Sequence, residues 1–257
     1  MTLAAGLAAR GLRPVVCIYS TFLQRALDQL IHDVVLPRLP VTLAIDRAGL
    51  VGADGATHQG TYDLAFLRPL PGLRIYAPTL AEDVDPVLET ALAGPGPAAF
   101  RFPRGTLPTT PASIHVEPGP VTGARWLRRP EGAVAAIVSI GTLGLAALEA
   151  AASLDVPVAV LDARVLAPLD VDRVLEACAT GHVVTVEEGT THGGLGSAVL
   201  ELAASRGVPT RVRMLGLPDA PVPHGDARTQ RRALGLSPEG FAAAVRELIA
   251  GTGTGVR

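Results

Sequence analysis

The chain has 257 residues, 48% of them hydrophobic and 18% charged, with a formal net charge of −2. That length can bury one large core or two ordinary ones, and the near-neutral balance excludes a basic nucleic-acid binder or a protein of anionic membrane surfaces. All 22 basic residues are arginine and asparagine is absent, so lysine Schiff-base and P-loop chemistries are excluded too.

Taken in order, residues 2–9 predict a helix. They are apolar but lack a positive leading segment and are too short to span a bilayer, so a cytoplasmic chain is expected. Val15–Tyr19, after Pro14, is rich in β-formers and predicts a strand. From Phe22 to about Leu36, apolar side chains at Phe22, Leu23, Ala26, Leu30 and Val34 follow a helical period that Pro37 closes. Residues 41–45 read as a buried strand and Arg74–Ala77 as a short one. Thr79-Leu-Ala-Glu82 has the capping-box pattern and predicts a helix to about Ala93. Ala98–Phe102 predicts the next strand. Cys17 and Cys178 sit far apart in apolar runs and read as reduced core residues, not a disulfide or metal pair.

Pro108, Pro111, Pro118 and Pro120 mark residues 107–128 as a linker. It separates a first domain, 1–106, from a second, 129–250. The second alternates again: strand 134–139, helix 143–154, strand 158–161, a helix over 171–178 opened by Asp170, strand 182–186, helix 196–206 and strand 211–215. A final helix follows, with Ser237 as N-cap and Pro238 in its first turn. Residues 251–257 read as a disordered tail. Strands alternating with helices imply an α/β protein of two three-layer α/β domains with mainly parallel sheets.

The stretch Asp46-Arg-Ala-Gly-Leu-Val-Gly-Ala-Asp-Gly-Ala-Thr-His-Gln-Gly60 stands out. It follows a buried strand, the position where open α/β sheets bind ligands, and its four glycines allow close backbone approach. Arg47, Asp54, His58 and Gln59 can donate, accept or exchange protons, which a plain connector of Ser, Gly and Pro could not. His58 can give and take a proton near neutrality, and the guanidinium fork of Arg47 or Arg104 fits a phosphate. Each has a plainer reading: a surface histidine, a salt-bridged arginine, or, for Asp54 before Gly55, a turn residue.

This stretch resembles the 1-deoxy-D-xylulose-5-phosphate synthase family of the transketolase superfamily. The resemblance extends to Pro14–Arg25, Asp28–Asp33, Phe102–Gly105, Val186–Glu188, Gly193–Ser197 and Gly216–Asp219. It implies a pyrimidine-binding domain at 1–106 and a transketolase C-terminal domain at 129–250. It also implies a thiamine-diphosphate-dependent transferase that condenses pyruvate with D-glyceraldehyde 3-phosphate for isoprenoid-precursor and thiamine biosynthesis. By the resemblance His58 acts at the substrate carbonyl with Asp54 on the substrate side. Arg47 and Arg104 bind the acceptor phosphate, Tyr19 and Arg25 line the substrate pocket, and Phe22 stacks on the aminopyrimidine ring of the coenzyme. His192 with Gly193–Gly196 lacks dinucleotide-loop spacing and reads as a structural turn.

The family's Mg²⁺ motif begins Gly-Asp-Gly and ends in Asn, and neither part occurs in this sequence. The Mg²⁺–diphosphate site is therefore expected from a further domain. Met1 falls just after the place where the family carries the glutamate that activates the coenzyme, so the pyrimidine-binding domain is expected to be N-terminally truncated. The chain by itself is expected to be inactive, working as a homodimer or in complex with a diphosphate-binding chain. A non-catalytic relic or interaction module, or a β-type subunit of a two-component thiamine-diphosphate enzyme, are the alternatives.

Overall fold

The computed structural model describes residues 1–112, 121 and 123–251. The chain opens with α1 (Thr2–Ala9) and β1 (Val15–Tyr19). One irregular helical run then holds α2 (Ser20–Leu23), a 3₁₀ turn, α3 (Leu27–Gln29) and a π-helical stretch over Leu30–Val35. Next come β2 (Thr42–Asp46), α4 (Asp63–Leu67), β3 (Arg74–Tyr76), α5 (Val84–Ala93) and β4 (Ala98–Arg101). The second half has β5 (Arg125–Arg128), β6 (Ala135–Ser139), α6 (Gly144–Ala152), β7 (Val158–Asp162), β8 (Val165–Ala167) and α7 (Val171–Cys178). It ends with β9 (His182–Thr190), α8 (Leu195–Ser205), β10 (Arg211–Leu217), α9 (Ala227–Ala233) and α10 (Pro238–Ala250).

Two five-stranded sheets result, ordered β1-β2-β4-β3-β8 and β10-β9-β6-β7-β5. In each, four strands are parallel and the last edge strand, β8 or β5, is antiparallel. Every residue of β6 and β7 is buried, as expected of parallel strands covered on both faces, and their Ala, Val, Ile and Leu runs read accordingly. The α/β architecture with mainly parallel sheets agrees with the sequence reading.

The halves are clasped. β8 lies between β7 and α7 in the chain yet pairs with β3 of the first sheet, Tyr76 opposite Val165. One apolar cluster runs from Leu23, Leu43 and Ile75 into Ala136, Leu161 and Val183 of the second half. A buried polar network also crosses the boundary. Arg125 donates to both oxygens of Asp83 (3.0 and 2.9 Å) and to Asp162 (2.9 Å). Thr79 donates its hydroxyl to Asp162 at 2.8 Å.

That network corrects the capping box. Thr79 is fully buried and its hydroxyl goes to Asp162, so the backbone N–H groups of Thr79 and Leu80 are instead satisfied by the carboxylate of Asp83, at 3.3 and 3.0 Å. Glu82 reaches out to Thr110. Helical structure after β1 starts at Ser20, before the expected Phe22, and is interrupted at Gln24–Ala26. Cys178 is buried, but Cys17 is exposed. It stands on edge strand β1, where Val15 and Cys17 are both exposed. The stretch expected as a linker contains β5, and α4, β8 and α9 were not foreseen. Residues 252–257 of the expected tail, and 113–120 with 122 of the expected linker, lie outside the described residues.

Candidate active site

β1 and β2 are parallel neighbours with Tyr19 opposite Asp46, so their C-terminal ends deliver Tyr19 and Arg47 side by side. The Arg47 guanidinium sits 3.9 Å from the Tyr19 ring centroid, a cation–π contact. Arg47 itself adopts φ +56°, a left-handed conformation that costs a non-glycine residue about 1–2 kcal/mol. Asp46 holds it there, accepting from the Arg47 backbone N–H at 2.6 Å and also from its guanidinium.

Beyond Arg47 the loop is pinned at its neck. Gly49 and Gly60 exchange backbone hydrogen bonds of 2.8 and 2.7 Å. A Cβ on Gly60 would lie 2.3 Å from the Arg47 carbonyl oxygen, and one on Gly49 would lie 2.3 Å from a Glu188 oxygen; these two glycines are required by close approach. Inside the neck a 3₁₀ turn, Gly52–Asp54, presents Asp54. Its carboxylate lies 3.8 Å from Arg47 and 3.4 Å from Arg104. Arg104, just past β4, also donates to the Val51 carbonyl at 3.3 Å.

His58 follows on the same loop. Its Nδ1 lies 3.0 Å from the Thr57 hydroxyl, and its backbone N–H donates to Gly55 at 3.0 Å. The ring meets Phe22 edge-on at 5.5 Å. Phe22 is stacked 5.5 Å from Tyr19, with the Arg25 guanidinium 5.5 Å from its centroid. Thr21 donates to the Thr57 carbonyl at 3.0 Å, fastening the start of α2 to the loop. The structure thus brings Tyr19, Phe22, Arg25, Arg47, Asp54, His58 and Arg104 onto one surface at the carboxyl ends of β1, β2 and β4. Phe22 stays 37% exposed, an apolar ring open to a flat heterocycle.

Of the supporting residues, Gln59 stood out in the sequence as a polar loop residue, Glu187 and Glu188 only as part of a resembling segment, and Asp63, Arg101 and Arg231 not at all. Gln59 is buried and accepts from the Val51 N–H at 2.7 Å. Arg101, in β4, pairs with buried Asp63 at 2.8 and 3.1 Å and donates to the Glu188 carbonyl at 2.9 Å. Glu188, from β9 in the second half, accepts from the Leu50 N–H at 3.1 Å and is held by Arg231 of α9. A charge inside the apolar strand Ala-Ala-Phe-Arg was the one signal that Arg101 had a buried partner. Glu187 accepts from the N–H groups of Leu195 and Gly196, both at 2.9 Å. Burial nonetheless holds its carboxyl above the usual carboxylate range. A Cβ at Gly194 would stand 2.0 Å from Glu187, and the Gly193 carbonyl accepts from Arg68, just past α4, at 2.7 Å. The glycine cluster is thus a packed turn between the halves.

Two α/β layers joined in this order, with a loop of these residues at the sheet ends, define a class. Residues 1–110 match the transketolase pyrimidine-binding domain and residues 124–241 the transketolase C-terminal domain. A solved split-gene transketolase, described as an inactive β4 tetramer, is 31% identical and superposes with a TM-score of 0.83 over 96% of this chain and 80% of its own. A transketolase from Leishmania mexicana, 20% identical at TM-score 0.79, shares the fold. The chain belongs to the transketolase family of thiamine-diphosphate-dependent enzymes.

Within that family it is similar to 1-deoxy-D-xylulose-5-phosphate synthase. It is 59% identical over 253 residues to the enzyme of Myxococcus xanthus and 51% identical over 254 residues to that of Thiobacillus denitrificans. These alignments cover 98% and 97% of this chain but 43% and 40% of the relatives, so the chain spans about two fifths of their length. No helix among the described residues is long and apolar enough to cross a membrane.

The pyrimidine end of thiamine diphosphate fits what is here: a partly exposed Phe22 ring with His58 at its edge. The diphosphate–metal end does not. Among the described residues no group of three or more His, Cys, Asp or Glu side chains could hold a metal ion.

Proposed function

We propose that this chain supplies the substrate-side half of a 1-deoxy-D-xylulose-5-phosphate synthase active site. The reaction joins pyruvate and D-glyceraldehyde 3-phosphate, giving 1-deoxy-D-xylulose 5-phosphate and CO₂. The observation that carries this reading is the convergence of Arg47 and Arg104 on Asp54, beside His58 and the Tyr19–Phe22 stack. Two guanidinium groups already face one carboxylate from different strands, so a phosphate entering there meets two donor forks whose orientation is set in advance. Asp54 keeps the forks apart and aligned until the acceptor arrives. His58, beside the stack, hydrogen-bonds the acceptor's aldehyde oxygen and gives it a proton as the new carbon–carbon bond forms. Arg25 and Tyr19 close the pocket over the pyruvate-derived carbons. Thiamine diphosphate, when bound, would supply the carbon nucleophile of the reaction, its diphosphate and metal held by a partner domain.

The test is reconstitution with the diphosphate-binding part of the Myxococcus xanthus enzyme. Activity should require both components. One phosphate hydrogen bond from a charged donor is worth about 1.5–3 kcal/mol. Arg104→Ala should therefore raise the KM for glyceraldehyde 3-phosphate roughly 10–150-fold, with the pyruvate KM within about threefold. His58→Ala should lower kcat by roughly 10²–10⁴. Equal rises in both KM values for Arg104→Ala would sink the phosphate clamp. Turnover of ketose and aldose phosphates without pyruvate would make the chain a transketolase half instead.

A two-component enzyme of which this chain is the β-type subunit is the second reading. It is supported by the likeness to the split-gene transketolase. The same reconstitution decides it, since pyruvate consumption distinguishes the reactions.

A further inference from the structure

Behind the substrate loop lies an open cleft of about 620 Å³, bounded by the segment after β4, the start of α6, helix α9 and the first turn of α10. Its volume is in the range of small-ligand sites. Four guanidinium groups line it: Arg104, Arg228, Arg231 and Arg232. The carboxylates in its wall are Glu149 and Glu239. Arg231 is engaged by Glu188 and Arg104 by Asp54. Among the described residues, Arg228 and Arg232 have no carboxylate within salt-bridge reach. Glu239 is turned to the Ser237 hydroxyl, which donates to it at 2.7 Å.

The sequence of α9 concentrates positive charge that Glu188 at Arg231, Asp226 near Arg228 and Glu239 near Arg232 offset only in part. Arg228, Arg231 and Arg232 stand at i, i+3 and i+4, so all three project from one helix face, where like charges repel. None of the α9 residues is buried, so packing does not account for the spacing. The stabilising feature is the Asp226 cap, which accepts from the Thr229 N–H at 2.8 Å. That cap fixes the helix and therefore the direction in which the arginines point.

We propose that this cleft binds an anion carrying two or more phosphate groups, with Arg228 and Arg232 as its principal donors and Arg231 and Arg104 completing the ring. It borders the substrate-side loop through Arg104, which Asp54 engages, but its principal donors Arg228 and Arg232 lie outside that loop and have no part in the reaction proposed above. More than one phosphate is needed because the unpaired donors sit on adjacent turns while the other two guanidinium groups enter from Glu188 and Asp54 pairs. A single phosphate would leave donors unmatched.

The probe is inorganic triphosphate, titrated calorimetrically into the intact chain at low ionic strength, with inorganic phosphate alongside. Saturable one-to-one binding of triphosphate is expected, with phosphate at least tenfold weaker. Arg228→Ala/Arg232→Ala should weaken triphosphate binding at least tenfold, since each charged donor contributes about that factor. Both residues are exposed, so unchanged circular dichroism and melting are expected, and Arg228→Gln/Arg232→Gln serves as a second variant of gentler shape change. Arg10→Ala/Arg206→Ala removes the same charge elsewhere and should bind as wild type. Absence of saturable binding, or equal weakening in the two double variants, overturns the site. So does binding that survives in Arg228→Ala/Arg232→Ala but is lost in Arg47→Ala, which would place the anion on the substrate loop. Arg228 and Arg232 take no part in the KM test of Arg104, so the two readings fail separately.

Discussion

Asp63→Asn is a sharp perturbation, because Asp63 and Arg101 form a pair whose side chains are 0% and 6% exposed. The amide keeps the size of the carboxylate and its acceptor for the Leu64 N–H, now made at 3.0 Å. It loses the charge that faces Arg101 through two hydrogen bonds of 2.8 and 3.1 Å. Arg101 keeps only the Glu188 carbonyl, at 2.9 Å, and so remains a buried cation facing a neutral dipole. Removing one partner of a buried ion pair costs about 3–5 kcal/mol, a large share of the roughly 5–15 kcal/mol that holds a folded protein together. In a chain of 257 residues each kcal/mol shifts the melting midpoint by roughly 2–3 °C, so Tm should fall roughly 6–15 °C. Urea unfolding followed by far-UV circular dichroism, with the m-value checked for constancy, measures it. The exposed pair Arg68–Glu201, bidentate at 2.8 Å, is the comparison: Glu201→Gln should cost no more than about 1 kcal/mol. Asp63→Leu/Arg101→Met, which removes both charges, should recover most of the loss. A cost below about 1 kcal/mol for Asp63→Asn would refute the reasoning.

Two further outcomes are expected. Burial pushes Asp162 up to about 6 against the pull of Arg125 and Thr79; a raised carboxyl gives stability that is present below about pH 4 and lost as pH rises through about 6. Wild type should therefore lose stability relative to Asp162→Asn between pH 4 and 6 in denaturant titrations, and an opposite slope would mean that the pull of Arg125 and Thr79 outweighs burial. Cys17 is exposed while Cys178 is buried with its thiol pushed up to about 11, so the native chain should take up one equivalent of a thiol reagent rapidly and the second only on unfolding; fast reaction at both would disprove the packing of α7.

Legibility followed the range of the interactions. Parallel strands such as β6 and β7 are buried on both faces and announce themselves as apolar runs, and helices with capped ends such as α7 and α10 were readable from Asp170, Ser237 and Pro238. The elements that escaped have weak local signals. β5 is a half-buried edge strand flanked by arginines, β8 is three residues ahead of a proline, and α9 buries nothing. In the site, the residues on the loop were legible because their types crowd one stretch. Arg101, Asp63, Glu188 and Arg231 were not, since each matters through a partner 38 or more positions away. Thr79 shows the same limit from the other side: its local pattern was right for a cap, and a buried carboxylate 83 residues distant outbid it.

The long-range contacts bear on how the site works. The loop from Asp46 to Gly60 is fixed at three points, two of which reach outside it. Its neck is held by Gly49 and Gly60 against Glu188 of the second half, its tip by Thr57 against Thr21, and its arginine by Asp46 in a backbone conformation that would otherwise relax. Glu188 in turn depends on Arg231, and its carbonyl on Arg101. In the function proposed above, a loop with four glycines would be a poor host for an arginine held in register for a phosphate, since every free torsion adds an entropic cost to binding. Fastening it from both halves removes that cost in advance. It also makes the C-terminal half part of the apparatus that orients Arg47 and Asp54, although it contributes none of the seven side chains gathered at the sheet ends. The strand β8, crossing to pair with β3, and the Asp83–Arg125–Asp162 network keep that second half from drifting away from the loop it steadies.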